Sequence, residues 1–260
     1  MNPRNIGLVF SRELKSYFSS LTVYIVIVMF LLMTGYFFYN LLATFSVVSF
    51  PAQADPMLAR QYQLLNINET VIRPLFGSIS IILLIMTPLL TMRLFAEEKK
   101  TGTIELLLTF PVNDLDVVLG KYFACLAVQL IMILMTATYP VLIVVLGEPE
   151  PMPILTGYLG LILLGAAAIS LGIFTSSVTE NQIVSASISF GILFFFWLIS
   201  YSVPLVSPGL GTLLGYLSIN EHINSLSKGV VDSEDIVYYL CFTVLFLFLT
   251  LRSLETNRWK

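Results

Sequence analysis

Residues able to do chemistry in this 260-residue chain gather in two places. The first is 97–121, "EEKKTGTIELLLTFPVNDLDVVLGK", which holds Glu97, Glu98, Lys99, Lys100, Glu105, Asp114, Asp116 and Lys121. The second is 219–240, "INEHINSLSKGVVDSEDIVYYL", which holds the single histidine, His222, with Asp232 and Asp235. One histidine is too few for a His-based metal site within one chain. Neither G-x-S-x-G nor H-E-x-x-H occurs. Gly120-Lys121 is followed by Tyr122 and lacks the earlier glycine of a phosphate loop, so ATP is not bound by that route. The charges of 97–121 are therefore read as a surface for contact, and no residue set nominates the chain as an enzyme or a metal protein.

The elements that carry these residues follow from composition. The chain is 57% hydrophobic and 11% charged, with a mean hydropathy of +0.89. A soluble domain carries about 25% charged residues, so this is an all-α polytopic membrane protein. A span needs about 20 apolar residues. Six runs qualify, over 21–43, 75–95, 115–146, 154–174, 183–205 and 236–254, in a single transmembrane domain covering 1–260. Short connections at 147–153 and 175–181 contrast with long ones at 44–74 and 206–235. Ten of the thirteen Lys and Arg fall in the N-terminal segment, the second connection, the fourth connection and the C-terminus if these share one side. The positive-inside bias then puts both termini and 96–121 in the cytoplasm. No basic tract points to nucleic acid.

Within 1–20, Ile6, Val9, Phe10, Leu14, Tyr17 and Phe18 share a helical face and Arg4, Arg12, Glu13 and Lys15 mostly another. That pattern fits an interfacial amphipathic helix or an ordinary topology anchor. Cys125 and Cys241 lie in apolar runs and read as small packing residues. Span centres carry no Asp, Glu, Lys or Arg, which argues against an ion-coupled transporter. Asn40, Gln129 and Tyr139 are expected to bond between helices or to line a substrate path. Asn68-Glu69-Thr70 matches a glycosylation acceptor, a triplet frequent by chance.

In 96–121, Gly102 permits a turn. Ile104, Leu107 and Leu108 fall near one face of a short helix, and Pro111 breaks it. Asn113 is a good N-cap, with Asp116 completing a capping-box-like pair. The expected shape is a helix, a sharp break at Phe110, Pro111 and Val112, and a second helix, rimmed by Glu105, Asp114 and Asp116. A stiff backbone, an apolar tip and a charged rim suit docking. In the second place, residues 220–228 can form a short amphipathic helix ended by Gly229. Asp232 or Ser233 then caps span six, with Glu234 and Asp235 at its positive end. This segment, 206–235, is read as a re-entrant packing element, or as a contact with an outer partner or exit gate.

The first stretch resembles the cytoplasmic coupling region of type-2 ABC exporter permeases. The matching residues are Glu97, Glu98, Gly102, Thr103, Ile104, Glu105, Leu107, Leu108, Pro111, Val112, Asn113, Gly120 and Lys121. The second stretch is similar to the segment before the last span in the gliding-motility-associated and copper-maturation (nitrous-oxide reductase assembly) permeases. There His222, Ile223, Leu226, Gly229, Val230, Val231, Asp232, Ser233, Asp235, Ile236, Val237 and Tyr238 carry the match. The resemblance implies a type V-like exporter fold in the bacterial inner membrane, working as a dimer with a second copy or a paralogue. It also implies a separate cytoplasmic ATPase pair that binds ATP and Mg, with Glu97, Glu98, Gly102, Thr103, Glu105, Leu107, Phe110, Pro111, Val112, Asn113 and Asp114 receiving it. The outcome would be export, or mechanical work on a periplasmic auxiliary protein. The competing readings are a non-ABC channel or scaffold, in which 97–121 is a structured loop, and an intramembrane enzyme.

Overall fold

A computed structural model describes residues 2–54, 66–103, 113–146 and 149–258. Among these residues the secondary structure is helical, without strands. Six helical segments are long and apolar enough to cross a membrane. The helices are α1 (Pro3–Ser19), α2 (Leu21–Ala54), α3 (Arg73–Thr91), α4 (Arg93–Lys100), α5 (Asp114–Met135), α6 (Thr138–Leu146), α7 (Pro151–Val178), α8 (Gln182–Ser202), α9 (Pro208–Leu217), α10 (Ile219–Ser227) and α11 (Ser233–Arg258).

Helix α7 lies at the centre. In the most apolar stretches of the six spans, 61% of α7 and 67% of the α3–α4 span are buried, against 17% of α11. The outer spans therefore leave an apolar surface suited to lipid. Close packing at the centre depends on small residues, as it must where lipid removes the hydrophobic drive between helices. A Cβ added at Gly172 of α7 would sit 2.1 Å from Thr91 Oγ1.

Helices α3 and α4 are one span with a break at Met92. Pro88 lies inside α3, and a proline withholds its N–H from the helical ladder. Ser176 of α7 bridges the break. Its hydroxyl accepts from the Phe95 and Ala96 N–H groups at 3.0 Å each and donates to Met92 O at 2.9 Å. The sequence reading placed Ser176 in a short connection; α7 in fact continues through it to Val178.

Some expectations need correction and others hold. Helix α2 runs on to Ala54, past the expected end of span one at 43. The first long connection also contains a π-helical turn, Asn68–Ile72, leading into α3. Asn68 is buried there, with Oδ1 closed off from solvent, which does not suit a glycosylation acceptor. Cys125 packs in the core, whereas Cys241 is exposed on the bundle surface. Gln129 Nε2 reaches Thr87 Oγ1 at 3.3 Å and Tyr139 reaches Thr34 at 3.0 Å, both between helices. Asn40 instead donates to Tyr36 O in its own helix.

Substituting Gly172→Ala should force α7 and α3 apart at a cost of about 1–3 kcal/mol. A lower thermal midpoint of the purified protein, with Gly191→Ala unchanged because nothing lies within 4 Å of that position, is the expected result.

Candidate coupling site

The charged end of the bundle is organised around Lys121, on the second turn of α5. Its side chain is 1% exposed. Nζ has three protons to donate, and three acceptors meet it: Glu13 Oε1 at 3.0 Å, Glu98 Oε1 at 2.9 Å and Leu94 O at 2.8 Å. Arg12 Nη2 bonds the same two carboxylate oxygens, at 2.7 Å to Glu13 and 2.9 Å to Glu98. Four charges of alternating sign thus close a ring that joins α1, α4 and α5. Nζ also lies 5.0 Å from the Phe95 ring centroid.

Burial alone would push the Glu13 carboxyl up. The Lys121 charge and the hydrogen bonds from Arg12 and Lys121 outweigh it and hold Glu13 below the usual carboxylate range. This part of the ring's stability is therefore present above the ordinary Glu value of about 4.3 and lost as pH falls through the lower folded value.

Position 120 must be glycine-like for the ring to form. A Cβ there would lie 2.7 Å from Val9 Cβ, so Gly120 lets α1 cross α5 in contact. A second tie holds the start of α1. Both carboxylate oxygens of Asp116 accept the Asn2 backbone N–H, at 3.1 and 3.2 Å, which also sets a negative charge at the positive end of α1. The two ties turn part of the polar face of α1 inward. Glu13 and Tyr17 are buried against the bundle. Asp116 is fully buried, not part of an acidic rim. Asn113 begins α5 with extended backbone but makes no side-chain cap bond, and the carboxylate of Asp116, the expected capping-box partner, is engaged by Asn2.

The expected coupling residues divide into two groups. Glu98 turns inward into the ring. Gly102 makes the predicted turn at φ +70°. Thr103 Oγ1 meets Thr101 Oγ1 at 2.9 Å and Glu98 O at 3.3 Å, covering carbonyls at the end of α4. Glu97 and Asn113 are exposed and Asp114 is half-buried. Glu105, Leu107, Phe110, Pro111 and Val112, with the expected break, lie outside the described residues. Beside the ring, Ser16, Arg93, Glu97 and Thr101 wall a cavity of about 360 Å³.

The opposite end of the bundle holds the second group. Residues 219–227 form α10, close to the expected 220–228, and Gly229 at φ +88° ends it. Helix α11 begins at Ser233, with Asp232 and Ser233 exposed. Asp235 is turned away from a pure capping role. Its Oδ1 lies 2.6 Å from His222 Nδ1. The Tyr238 ring stacks on the imidazole at 4.1 Å between centroids.

The model of the family described as "ABC-2 family transporter protein" matches residues 8–259. The chain belongs to the ABC-2 transporter family. No curated protein matches it. As an ABC-2 permease subunit it is a multi-pass membrane protein and a transport component, and its family implies a partner ATPase. Sequence reasoning missed the pairing of Glu13 with Lys121. Lys121 entered only as a motif match and Glu13 only as part of a polar face. The available signal was the charge itself: Lys121 borders a long apolar run and needs a carboxylate.

Removing one member of a buried ion network costs about 3–5 kcal/mol. Lys121→Met and Glu13→Gln should each lower the thermal midpoint, and the double variant should lose less than the sum, with a coupling of about 1–3 kcal/mol. Strictly additive losses would mean that the four charges do not act as a unit.

Proposed function

We propose that this ABC-2 permease takes up mechanical work from its ATPase at the Lys121 end and delivers it across the bilayer. The observation that carries this reading is the charge ring. It ties α1 and α4 to α5, so a push on the 97–114 segment is carried by charge-assisted bonds into two spans. The residues that hold this segment in place are Glu13, Glu98, Asp116 and Lys121. Glu97, Thr103, Asn113 and Asp114, with Glu105, Leu107, Phe110, Pro111 and Val112, form the receiving surface.

On this reading the Lys121 end is cytoplasmic, both termini are inside, and the membrane is a bacterial inner membrane. The Lys and Arg bias supports that orientation. ATP and Mg belong to the ATPase pair. The exposed apolar faces of α2, α8 and α11 leave room for lipid and for a second permease, identical or paralogous. Similarity of 219–240 to the gliding-motility and copper-maturation group favours a periplasmic auxiliary protein as the recipient of the motion, or an exported substrate passing beside it.

Co-expression with the ATPase tests the reading. The native pair should copurify and show permease-stimulated ATP hydrolysis. Glu105→Lys with Pro111→Ala is expected to weaken copurification about tenfold, or about 1.4 kcal/mol, while leaving the permease's own thermal midpoint unchanged. Undiminished copurification and stimulation in that variant would remove 97–114 as the receiving surface.

A further inference from the structure

A cavity of about 440 Å³ opens at the 206–235 end of the bundle. Pro208, Gly211, Thr212 and Gly215 line it from one face of α9, at the i, i+3, i+4 and i+7 positions of a helix. Glu221 of α10 and Asp235 of α11 also line it. Mostly uncharged walls with a few convergent polar groups are the make-up of a ligand site.

Asp235 points to the kind of ligand. The residue is 5% exposed. His222 Nδ1 lies 2.6 Å from Oδ1 and occupies that oxygen. Oδ2 is closed off from bulk solvent and has no hydrogen-bond partner. An ionised carboxylate accepts and cannot donate, so what is missing at Oδ2 is a donor. Buried polar atoms without a partner are rare and costly.

The charge around this oxygen is also one-sided. Glu221 is exposed beside the same cavity. Among the described residues, no Lys or Arg lines the cavity or pairs with either carboxylate. Lys228 caps the far end of α10, and Arg73 is engaged by Glu69. An entering ammonium would find an acceptor at Oδ2 and an attracting charge at Glu221. An anion would meet two like charges.

The surroundings favour a lipid as the carrier of that ammonium. Helix α9, PGLGTLLGYL, has no charged side chain. Leu210, Leu213 and Leu217 are exposed on it, and the 100° step per residue puts them opposite the cavity face. The helix lies between the fifth apolar span, which ends at Leu205, and the sixth, which starts at Ser233. It therefore sits at the membrane boundary, where an exposed apolar face is covered by lipid.

We propose that this cavity binds the primary ammonium of a phosphatidylethanolamine headgroup, with Asp235 Oδ2 as its hydrogen-bond acceptor and Glu221 as the attracting charge. A small turn of the Asp235 carboxylate brings Oδ2 to the cavity wall while Oδ1 stays on His222. The site stands whether or not 97–114 receives the ATPase. Its selectivity follows from the chemistry. A choline headgroup carries the same charge but has no N–H to donate. A phosphatidylglycerol headgroup has hydroxyl donors but leaves the phosphate charge uncompensated.

Native mass spectrometry of the delipidated full-length protein tests this, with phosphatidylethanolamine, phosphatidylcholine and phosphatidylglycerol of identical chains titrated in. The native protein is expected to hold phosphatidylethanolamine about tenfold more tightly than either of the others, the worth of one hydrogen bond to a charged group. Amide exchange of 208–227 should slow when that lipid binds. Asp235→Asn, which replaces the acceptor with a donor, should abolish the preference, and Glu221→Gln should reduce it. Glu255→Gln, at the other end of the last span, should leave it intact. Equal binding of the ethanolamine and choline lipids by native protein would overturn the site, as would an undiminished preference in Asp235→Asn. Should that variant fail to fold, the three-lipid comparison on native protein and the exposed Glu221→Gln still decide. Free ethanolamine that displaces the lipid at matching concentration would overturn the lipid as the ligand.

Discussion

A lysine ammonium buried in a helix bundle needs an acceptor for each of its three protons and a counter-charge for its own. Lys121 finds these only if two other helices are brought to it. Glu13 comes from α1, and Glu98 and the Leu94 carbonyl come from α4. Arg12 then balances the second carboxylate, so the ring is electrically closed. Most of the charged end follows from this requirement: the contact of α1 with α5 at Gly120, the inward turn of Glu98, and the short α4 that holds Glu98 in place.

The break between α3 and α4 is part of the same constraint. A continuous helix through Met92 would not need Ser176, whose hydroxyl serves three backbone groups there. Helix α7 therefore does more than fill the centre. At one end it secures the segment that carries Glu98, and at the other Pro153 packs within 3.2 Å of the Cβ position of Gly229. One buried helix touches both chemically distinctive corners of the permease.

The two corners use charge differently. At the Lys121 end, four charges from three helices satisfy one another. At the His222 end, one imidazole joins the Asp235 carboxylate of one helix to the Tyr216 carbonyl of another.

Much of the architecture was legible in the chain itself. Six apolar runs of bilayer length need no tertiary information, since each span satisfies its own backbone. Gly102 and Gly229 were readable as turns because a left-handed backbone favours glycine. The family was readable from the dense motif in 97–121. Tertiary structure alone decided the roles of the charged residues. Periodicity put Glu13 on a polar face and local spacing made Asp116 a capping partner, yet Lys121 and Asn2, more than a hundred residues away in sequence, claimed them. The same holds for His222, whose two acceptors come from neighbouring helices. Local sequence sets which helices form, because helical hydrogen bonds are local. The partner of a buried charge is whichever opposite charge the packing delivers, and only the folded chain contains that information.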